Sequence, residues 1–424
     1  MQSFTQKIKL VFQDSTLRSR IFFTLGALVL FRALASIPIP GIDAAKLAAF
    51  FSNNQFFGLL NVFSGGGLSN LSIVMLGVGP YITASIIMQL LTMMSDKMKK
   101  MYQEEGELGR KKFSQYSRLL AVPLSVLQAY FFVILLEKQA ILGALSSFDF
   151  AINVVVITAG SILLMWIGEL ITEFGIGNGV SLIIFSGIVA SLPLNISQAL
   201  FSYDQSQLPI YILFFVSAIA IIYAVVFITE AERPIPVTYA KRVRGNRVYG
   251  GISTYLPLRL NQAGVIPIIF ALSILLFPQL ILNFIKTSVS NPTIQSITDT
   301  LLSLLSNGLF YGILYFLFVF IFTYFYTAVT FDPHQIAENL QKSGAFIPGV
   351  RPGQSTSDYI GKILTRITLV GATFLGFVAV LPLIMKEITN ISSVAIGGTA
   401  LLIVVSVVID IVKKVDAQIS MREY

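Results

Sequence analysis

The chain has 424 residues, of which 55% are hydrophobic and only 12% charged, and its formal net charge is +8. Apolar runs of about 20 residues, the length needed to cross a bilayer as a helix, recur from one end to the other. This excludes an ordinary soluble domain and predicts a polytopic α-helical membrane protein. With no cysteine and one histidine, the sequence also excludes disulfides, thiol catalysis and clusters of Cys or His ligands.

The sequence predicts ten spans, in chain order at residues 21–37, 71–94, 118–136, 150–171, 178–198, 209–229, 263–285, 308–330, 367–385 and 394–412. With ten alternating spans, 24 of the 29 Lys and Arg residues fall on one face, and only Lys46, Lys138, Lys286 and Lys386 fall on the other. By the positive-inside rule, both termini are cytoplasmic. The basic face can meet anionic lipid, an acidic partner or ribosomal RNA, and charge alone does not choose among them.

Few ionisable residues lie inside the predicted spans. They are Arg32, Glu169 and Asp410, and each would cost about 2.5 to 3.5 kcal/mol or more at mid-bilayer. Glu169 and Asp410 lie near cytoplasmic ends, where they can reach water, and Arg32 can either snorkel or pair with another helix. We therefore expect structural roles for all three, and neither a buried proton relay nor an ion-binding cage.

A short repeat links the second and seventh spans. Gly77-Val78-Gly79-Pro80 resembles Gly264-Val265-Ile266-Pro267, at an offset of five spans. An odd offset places two halves of the chain in opposite orientations, as in proteins built from inverted repeats. The alternative is that Gly and Pro recur only because they are frequent in membrane helices.

An apolar stretch at residues 56–67, which ends in three glycines, precedes the second span. It is too short to cross about 30 Å of hydrocarbon. Non-helical backbone at that depth is tolerated only against protein or water, so we predict a re-entrant segment inside a cavity that opens to the outer side. An amphipathic helix on the membrane surface is the alternative interpretation.

Two long cytoplasmic loops differ in composition from the short connections. Residues 230–262 combine basic residues with tyrosines, and residues 331–366 carry a Gly- and Pro-rich tip that presents Arg351. Such surfaces contact phosphate or acidic protein, so both loops are predicted docking sites; the alternative is a pair of solvated positive-inside loops. The glycines of residues 175–179 predict a tight structural turn between the fourth and fifth spans.

Several longer stretches carry a family resemblance. They are Ile37-Pro38-Ile39-Pro40-Gly41, Phe63-Ser64-Gly65-Gly66, Pro80 to Ile87, Gly109-Arg110-Lys111-Lys112, Met165 to Glu169, Gly175 to Gly179, Tyr239-Ala240-Lys241-Arg242, Leu256 to Arg259, Ala263 to Pro267, Asn339 to Gly353 and Gly397-Gly398-Thr399. At these residues, and over essentially its whole length, the chain resembles the SecY family, the channel subunits of the general protein-secretion translocon.

The resemblance implies an all-α polytopic membrane protein, with ten transmembrane helices in two inverted five-helix halves around a central hourglass pore and a re-entrant plug helix near residues 56–70. The implied divisions are a cytoplasmic segment at 1–20, halves at 21–200 and 201–414, and a tail at 415–424. A lateral gate forms mainly from spans two, three, seven and eight.

The implied plug residues are Phe63, Ser64, Gly65, Gly66 and Gly67. The implied constriction ring is Val78, Ile82, Val180, Ile184, Ile269 and Ile403. Only the resemblance selects these six, which in isolation are apolar helix residues suited to packing in a core.

The implied function is that of a protein-conducting channel in the cell inner (plasma) membrane, which passes unfolded signal-bearing preproteins and releases hydrophobic segments into membrane lipids. It is a passive channel with no catalytic residue, cofactor, metal or DNA partner. The SecA ATPase or the ribosome would dock at Lys241, Arg242, Arg259 and Arg351 and drive transport. SecE and SecG are the implied partner subunits.

Three alternative functions remain to be weighed against a protein-conducting channel. A secondary transporter with inverted repeats fits the topology, but it needs polar ligands at the membrane midplane, of which the spans supply few. An enzyme acting within the membrane needs paired acids or a Cys or His constellation, which the sequence lacks. Departures from the family pattern at Tyr255, residues 232–236 and residues 332–335 leave room for an accessory SecY paralogue with dedicated substrates.

Overall fold

The structure is a computed structural model that describes residues 13–40, 61, 64–68, 70–138, 141–143, 145–201, 208–239, 242–244, 247–249, 253–264, 266–289, 291–389 and 392–420. The helices are α1 (Ser15–Ala35), α2 (Gly79–Met94), α3 (Asp96–Gln103), α4 (Gly106–Lys138), α5 (Ser147–Phe174), α6 (Gly179–Phe201), α7 (Leu208–Glu230), α8 (Ile266–Ser288), α9 (Pro292–Ser306), α10 (Gly308–Thr330), α11 (Pro333–Lys342), α12 (Gln354–Thr389) and α13 (Ser392–Ser420). The strands are β1 (Glu232–Tyr239), β2 (Arg242–Arg244), β3 (Arg247–Tyr249), β4 (Ser253–Arg259) and β5 (Ala345–Phe346).

Each of the ten predicted spans overlaps one of these helices, namely α1, α2, α4, α5, α6, α7, α8, α10, α12 and α13. Among the residues described, the segments long and apolar enough to cross a membrane are Gly106–Lys138, Ser147–Phe174, Ile266–Lys286, Gly308–Lys342 and Gln354–Leu381. Shorter apolar segments are Gly79–Met94, Gly179–Pro193 and Phe215–Glu230.

Several helices begin where the sequence supplies a capping side chain. Asp14, Ser146, Asn291, Asn307 and Asp332 each accept a hydrogen bond from a backbone N–H in the first turn of the following helix. A cap of this kind typically contributes about 1 kcal/mol. The caps therefore fix where α1, α5, α9, α10 and α11 start.

The second span becomes helical later than predicted. Residues 71–78 form turns, and α2 starts at Gly79. Gly77 has φ of +59°, a left-handed conformation that glycine adopts without strain. Pro80 lies in the first turn of α2, where the missing N–H would have no partner within the helix. Val78 therefore lies just before the helix and not within it.

The same backbone geometry recurs five spans later. Gly264 has φ of +62° and lies two residues before α8, as Gly77 lies two residues before α2, and Pro267 is the second residue of α8. Ile82 and Ile269 then follow at matching positions, five residues after each glycine. The predicted repeat between the second and seventh spans is confirmed at the level of the backbone.

The membrane helices pack as two sets. The first set is α1, α2, α4, α5 and α6, and the second is α7, α8, α10, α12 and α13. Between the sets, the extensive contacts are α2 with α8, α4 with α8, and α6 with α13. The largest apolar cluster of the described residues draws on both sets, so the main core lies where they meet.

The two predicted docking loops join in one module on the predicted cytoplasmic side, which we call the loop module. β1 pairs antiparallel with β4, from Glu232 opposite Arg259 to Thr238 opposite Ser253, and β5 pairs with the end of β1. The module has its own apolar core, formed by Ile235, Val237, Leu258, Ala345, Ile347, Ile360, Ile363 and Ile367. Because β5 and the first part of α12 come from residues 331–366, the second loop is packed against the first. These strands were not predicted from the sequence.

Candidate functional site

All six predicted ring residues belong to one apolar cluster between the two helix sets: Val78, Ile82, Val180, Ile184, Ile269 and Ile403. Five of them are at most 5% exposed, and Val180 is partly buried against the rest of the cluster. The first four come from the first set, and Ile269 on α8 and Ile403 on α13 come from the second.

Helical spacing explains why these residues converge. Val78 and Ile82 are four residues apart, with the N–H of Ile82 donating to the carbonyl oxygen of Val78 at 3.0 Å, and Val180 and Ile184 are four apart on α6. Residues at this spacing share one face of a helix. Branched aliphatic side chains offer no hydrogen bond, so a constriction built from them holds neither water nor ions tightly.

The described end of the predicted plug is a tight turn at residues 64–68, which we call the glycine turn. Gly65 and Gly66 have φ of +64° and +84°, conformations that favour glycine. The N–H of Leu68 donates to Ser64 Oγ, and Ser64 Oγ donates to the carbonyl oxygen of Asn61, both at 3.0 Å. Phe63 lies outside the described residues, as do residues 56–60.

Helices α1 and α6 hold the glycine turn from two sides. A Cβ added at Gly187 on α6 would lie 2.0 Å from the Cα of Gly65, and a Cβ added at Gly65 would lie 2.5 Å from the ring of Phe31 on α1. Only glycine fits at either position. Since Gly187 is three residues beyond Ile184, the glycine turn lies next to the ring, on the predicted outer side.

Arg32 has a partner that the sequence did not reveal. Its Nη1 donates to the carbonyl oxygen of Gly65 at 3.2 Å, a backbone group and not a side chain of another helix, and this contact agrees with the expected structural role. The guanidinium supplies a charged donor to non-helical backbone inside the membrane region, where an unbonded carbonyl would be costly. Asp410 pairs with Lys414 at 2.8 Å, which agrees with its expected structural role.

The predicted docking residues that the structure describes lie in the loop module. Arg259 and Arg351 are exposed, Arg242 is the first residue of β2, and Lys241 lies outside the described residues. The carbonyl oxygen of Arg351 accepts a bond from Thr356 Oγ1 at 2.9 Å, which anchors the tip to the start of α12.

A surface ion pair lies on α11 of the same module. Lys342 Nζ is 2.8 Å from Glu338 Oε1, and its hydrogen bond and charge hold the pKa of that carboxyl below its usual value.

A cavity of about 440 Å³, which we call the vestibule, lies on the predicted cytoplasmic side of the ring, between α2, α4, α5, α6, α8 and α10. Ile82, Val180 and Ile269 contribute to its lining, as does an ion pair in which Arg118 Nε donates to Glu169 Oε1. Sequence reasoning missed this pair because Arg118 is the first residue of its predicted span. The available signal was two opposite charges at the cytoplasmic ends of consecutive antiparallel spans.

The comparison with known families and relatives agrees with this geometry. The model of the SecY family matches residues 72–412. Protein translocase subunit SecY of Vibrio cholerae is 42% identical over 417 residues, which cover 97% of this chain and 93% of that protein. The chain belongs to the SecY family.

Solved structures of this family share the fold. One is a SecY protein whose plug domain stabilises the closed state of the translocation channel and maintains a membrane seal; its TM-score is 0.68 at 20% identity, with 97% of this chain and 94% of that chain covered. Another is canine Sec61 in a ribosome-channel complex, with a TM-score of 0.64 at 18% identity and the same coverage. The chain thus has the ten-helix SecY fold, with inverted halves around a central pore.

The close fit of the glycine turn predicts a labelling result. The chain has no cysteine, so Ser64→Cys, at a site 1% exposed, provides a single reporter. We expect slow reaction with a membrane-impermeant maleimide, and a rate at least about fivefold higher when Gly187→Leu is added, because overpacking typically costs about 1 to 3 kcal/mol. Gly26→Leu is the control, since nothing lies within 4 Å of that glycine. An unchanged rate in the Gly187→Leu protein would contradict the contact.

Proposed function

We propose that this SecY-family chain is the protein-conducting channel subunit of the general secretory pathway. It passes unfolded, signal-bearing preproteins across the membrane and releases hydrophobic segments sideways into the bilayer. The observation that carries the proposal is the cluster of ring residues between the two helix sets, with the glycine turn held against α6 beside it.

The chemistry of the ring suits a channel for many different chains. Branched aliphatic side chains exclude water and so close a narrow pore to ions by dewetting. They make no directional bond with what passes, so they can part around any extended polypeptide. The glycine turn, as part of the plug, adds a second barrier on the outer side. Phe63, Ser64, Gly65, Gly66 and Gly67 are the proposed plug residues.

The proposed gate follows from the contacts between the halves. In this proposal the halves are residues 21–200 and 201–414, and the seam between α2 and α4 on one side and α8 and α10 on the other opens toward lipid. A signal segment leaves through it because each buried CH2 contributes about 0.8 kcal/mol. The channel therefore separates segments that enter the bilayer from segments that cross it by their hydrophobicity.

The proposed setting is the cell inner membrane, with both termini cytoplasmic and with SecE and SecG as partner subunits. The channel is passive, and the SecA ATPase or the ribosome supplies the driving force. Lys241, Arg242, Arg259 and Arg351 form the proposed docking surface. The exposure of Arg259 and Arg351 in one module supports it, as does the ribosome-bound state of the related canine channel.

The whole proposal is tested by reconstitution. The purified chain is placed in liposomes with SecE, SecA and ATP, and protease protection of a signal-bearing precursor is measured. We expect protection that requires both the signal and ATP. Failure of protection, combined with uptake of a small solute, would instead favour a transporter.

The ring assignment predicts contact with a chain in transit. A cysteine at Ile269 should crosslink to a precursor stalled during translocation, because the ring closes around it. Ile219→Cys on α7, a site 52% exposed and predicted to face lipid, is the matched control. If Ile219→Cys crosslinks and Ile269→Cys does not, the pore lies elsewhere.

The docking assignment predicts an export defect without an insertion defect. Arg351→Glu should lower the initial rate of SecA-driven export by about tenfold or more, because an interface Arg at a hot spot contributes about 2 kcal/mol or more. Lys362→Glu on the nearby exposed surface of α12 is the control, and membrane insertion of both variants is quantified. Normal export by the Arg351→Glu protein would remove this residue from the docking surface.

A further inference from the structure

The vestibule has two chemically different walls. Ile266, Ile269 and Phe270 of α8 make one side apolar, and they border the proposed gate. Arg118 of α4 with Glu169 and Glu173 of α5 make the other side charged. A ligand that fits both walls must carry an apolar stretch next to a charged one.

The charges of the second wall do not cancel. Arg118 and Glu169 are joined in an ion pair, so their charges neutralise one another. Glu173, near the end of α5, is exposed and forms no hydrogen bond or ion pair with any described residue. Among the described residues of the lining, the vestibule therefore has one negative charge without an ion-pair partner, at Glu173.

The carboxylate of Glu173 is a negative charge on a face that is mostly positive. The cytoplasmic face carries 24 of the 29 Lys and Arg residues, so it repels cationic segments over long range. In the described lining of the vestibule the cation is Arg118, which is already bound to Glu169. A cationic segment that reaches the vestibule finds its favourable contact at Glu173.

Signal segments have the matching composition, since a short positively charged region precedes an apolar stretch of about 7 to 15 residues. We propose that Glu173 binds the positively charged flank of an arriving signal segment, while its apolar stretch rests against Ile266, Ile269 and Phe270. The inference deepens the proposed function and depends on it. Glu173 becomes a specificity-determining residue, which favours signals that keep their positive flank on the cytoplasmic side.

A charge-swap experiment tests this assignment in the reconstituted complex. Reporters with the same apolar stretch carry lysines, glutamines or glutamates in the flank, and the ratio of lysine-flanked to glutamate-flanked export is measured. We expect Glu173→Lys to lower this ratio about threefold or more relative to the unaltered chain, and Glu173→Gln to lower it less. Export of the glutamate-flanked reporter should rise in the Glu173→Lys protein, a gain that damage to folding cannot produce.

The matched control is Glu107→Lys, an exposed glutamate at the start of α4 outside the vestibule lining. An unchanged ratio in the Glu173→Lys protein overturns the assignment. An equal shift of the export ratio in the Glu107→Lys protein also overturns the assignment, because such a shift would reflect the overall surface charge. If the unaltered chain exports neither reporter, the proposed function itself fails, and that outcome is distinct from export that ignores the flank.

Discussion

Apolar packing between the two helix sets is the interaction on which the other features depend. Fully exposing one Val, Leu or Ile side chain costs about 1.5 to 3 kcal/mol, so separating the six residues of the proposed ring costs about 9 to 18 kcal/mol at most. This is enough to keep the centre closed, and small enough for an arriving apolar segment to offset it. Because the contact is non-directional, the ring can open without leaving unpaired polar groups behind.

The backbone near the ring obeys a stricter rule, because polar groups inside the membrane need partners within the protein. The glycine turn meets this rule through Ser64 and Arg32, which together bind an N–H and two carbonyl groups. Its contact with Gly187 leaves no room for any side chain at that point of α6. Ser64 and Arg32 thus satisfy the backbone of the turn, while the close contact with Gly187 fixes its position beside the proposed ring.

The membrane class and the ten helices were predictable because they follow from the length of the apolar runs. The repeat was predictable because Gly and Pro recur at an offset of five spans. The late start of α2 was missed, since hydropathy does not register the left-handed conformation of Gly77. In the loop module, the pairing of β5 with β1 was missed because these two strands come from loops about 100 residues apart in sequence. Arg118 and Glu169 lie 51 residues apart in sequence, and only packing of α4 on α5 brings them together.

Helix α10 places two polar groups in the apolar core between the helix sets. Tyr311 and Tyr315 lie in the same apolar cluster as the ring, and within the described chain neither hydroxyl has a hydrogen-bond partner. A buried hydroxyl without a partner costs about 1 to 3 kcal/mol. Since α10 packs on α8 at the proposed gate, movement that admits water would relieve this cost. The two buried tyrosines therefore offset part of the stabilisation that apolar packing gives, and in the proposed opening of the gate they would lower its cost.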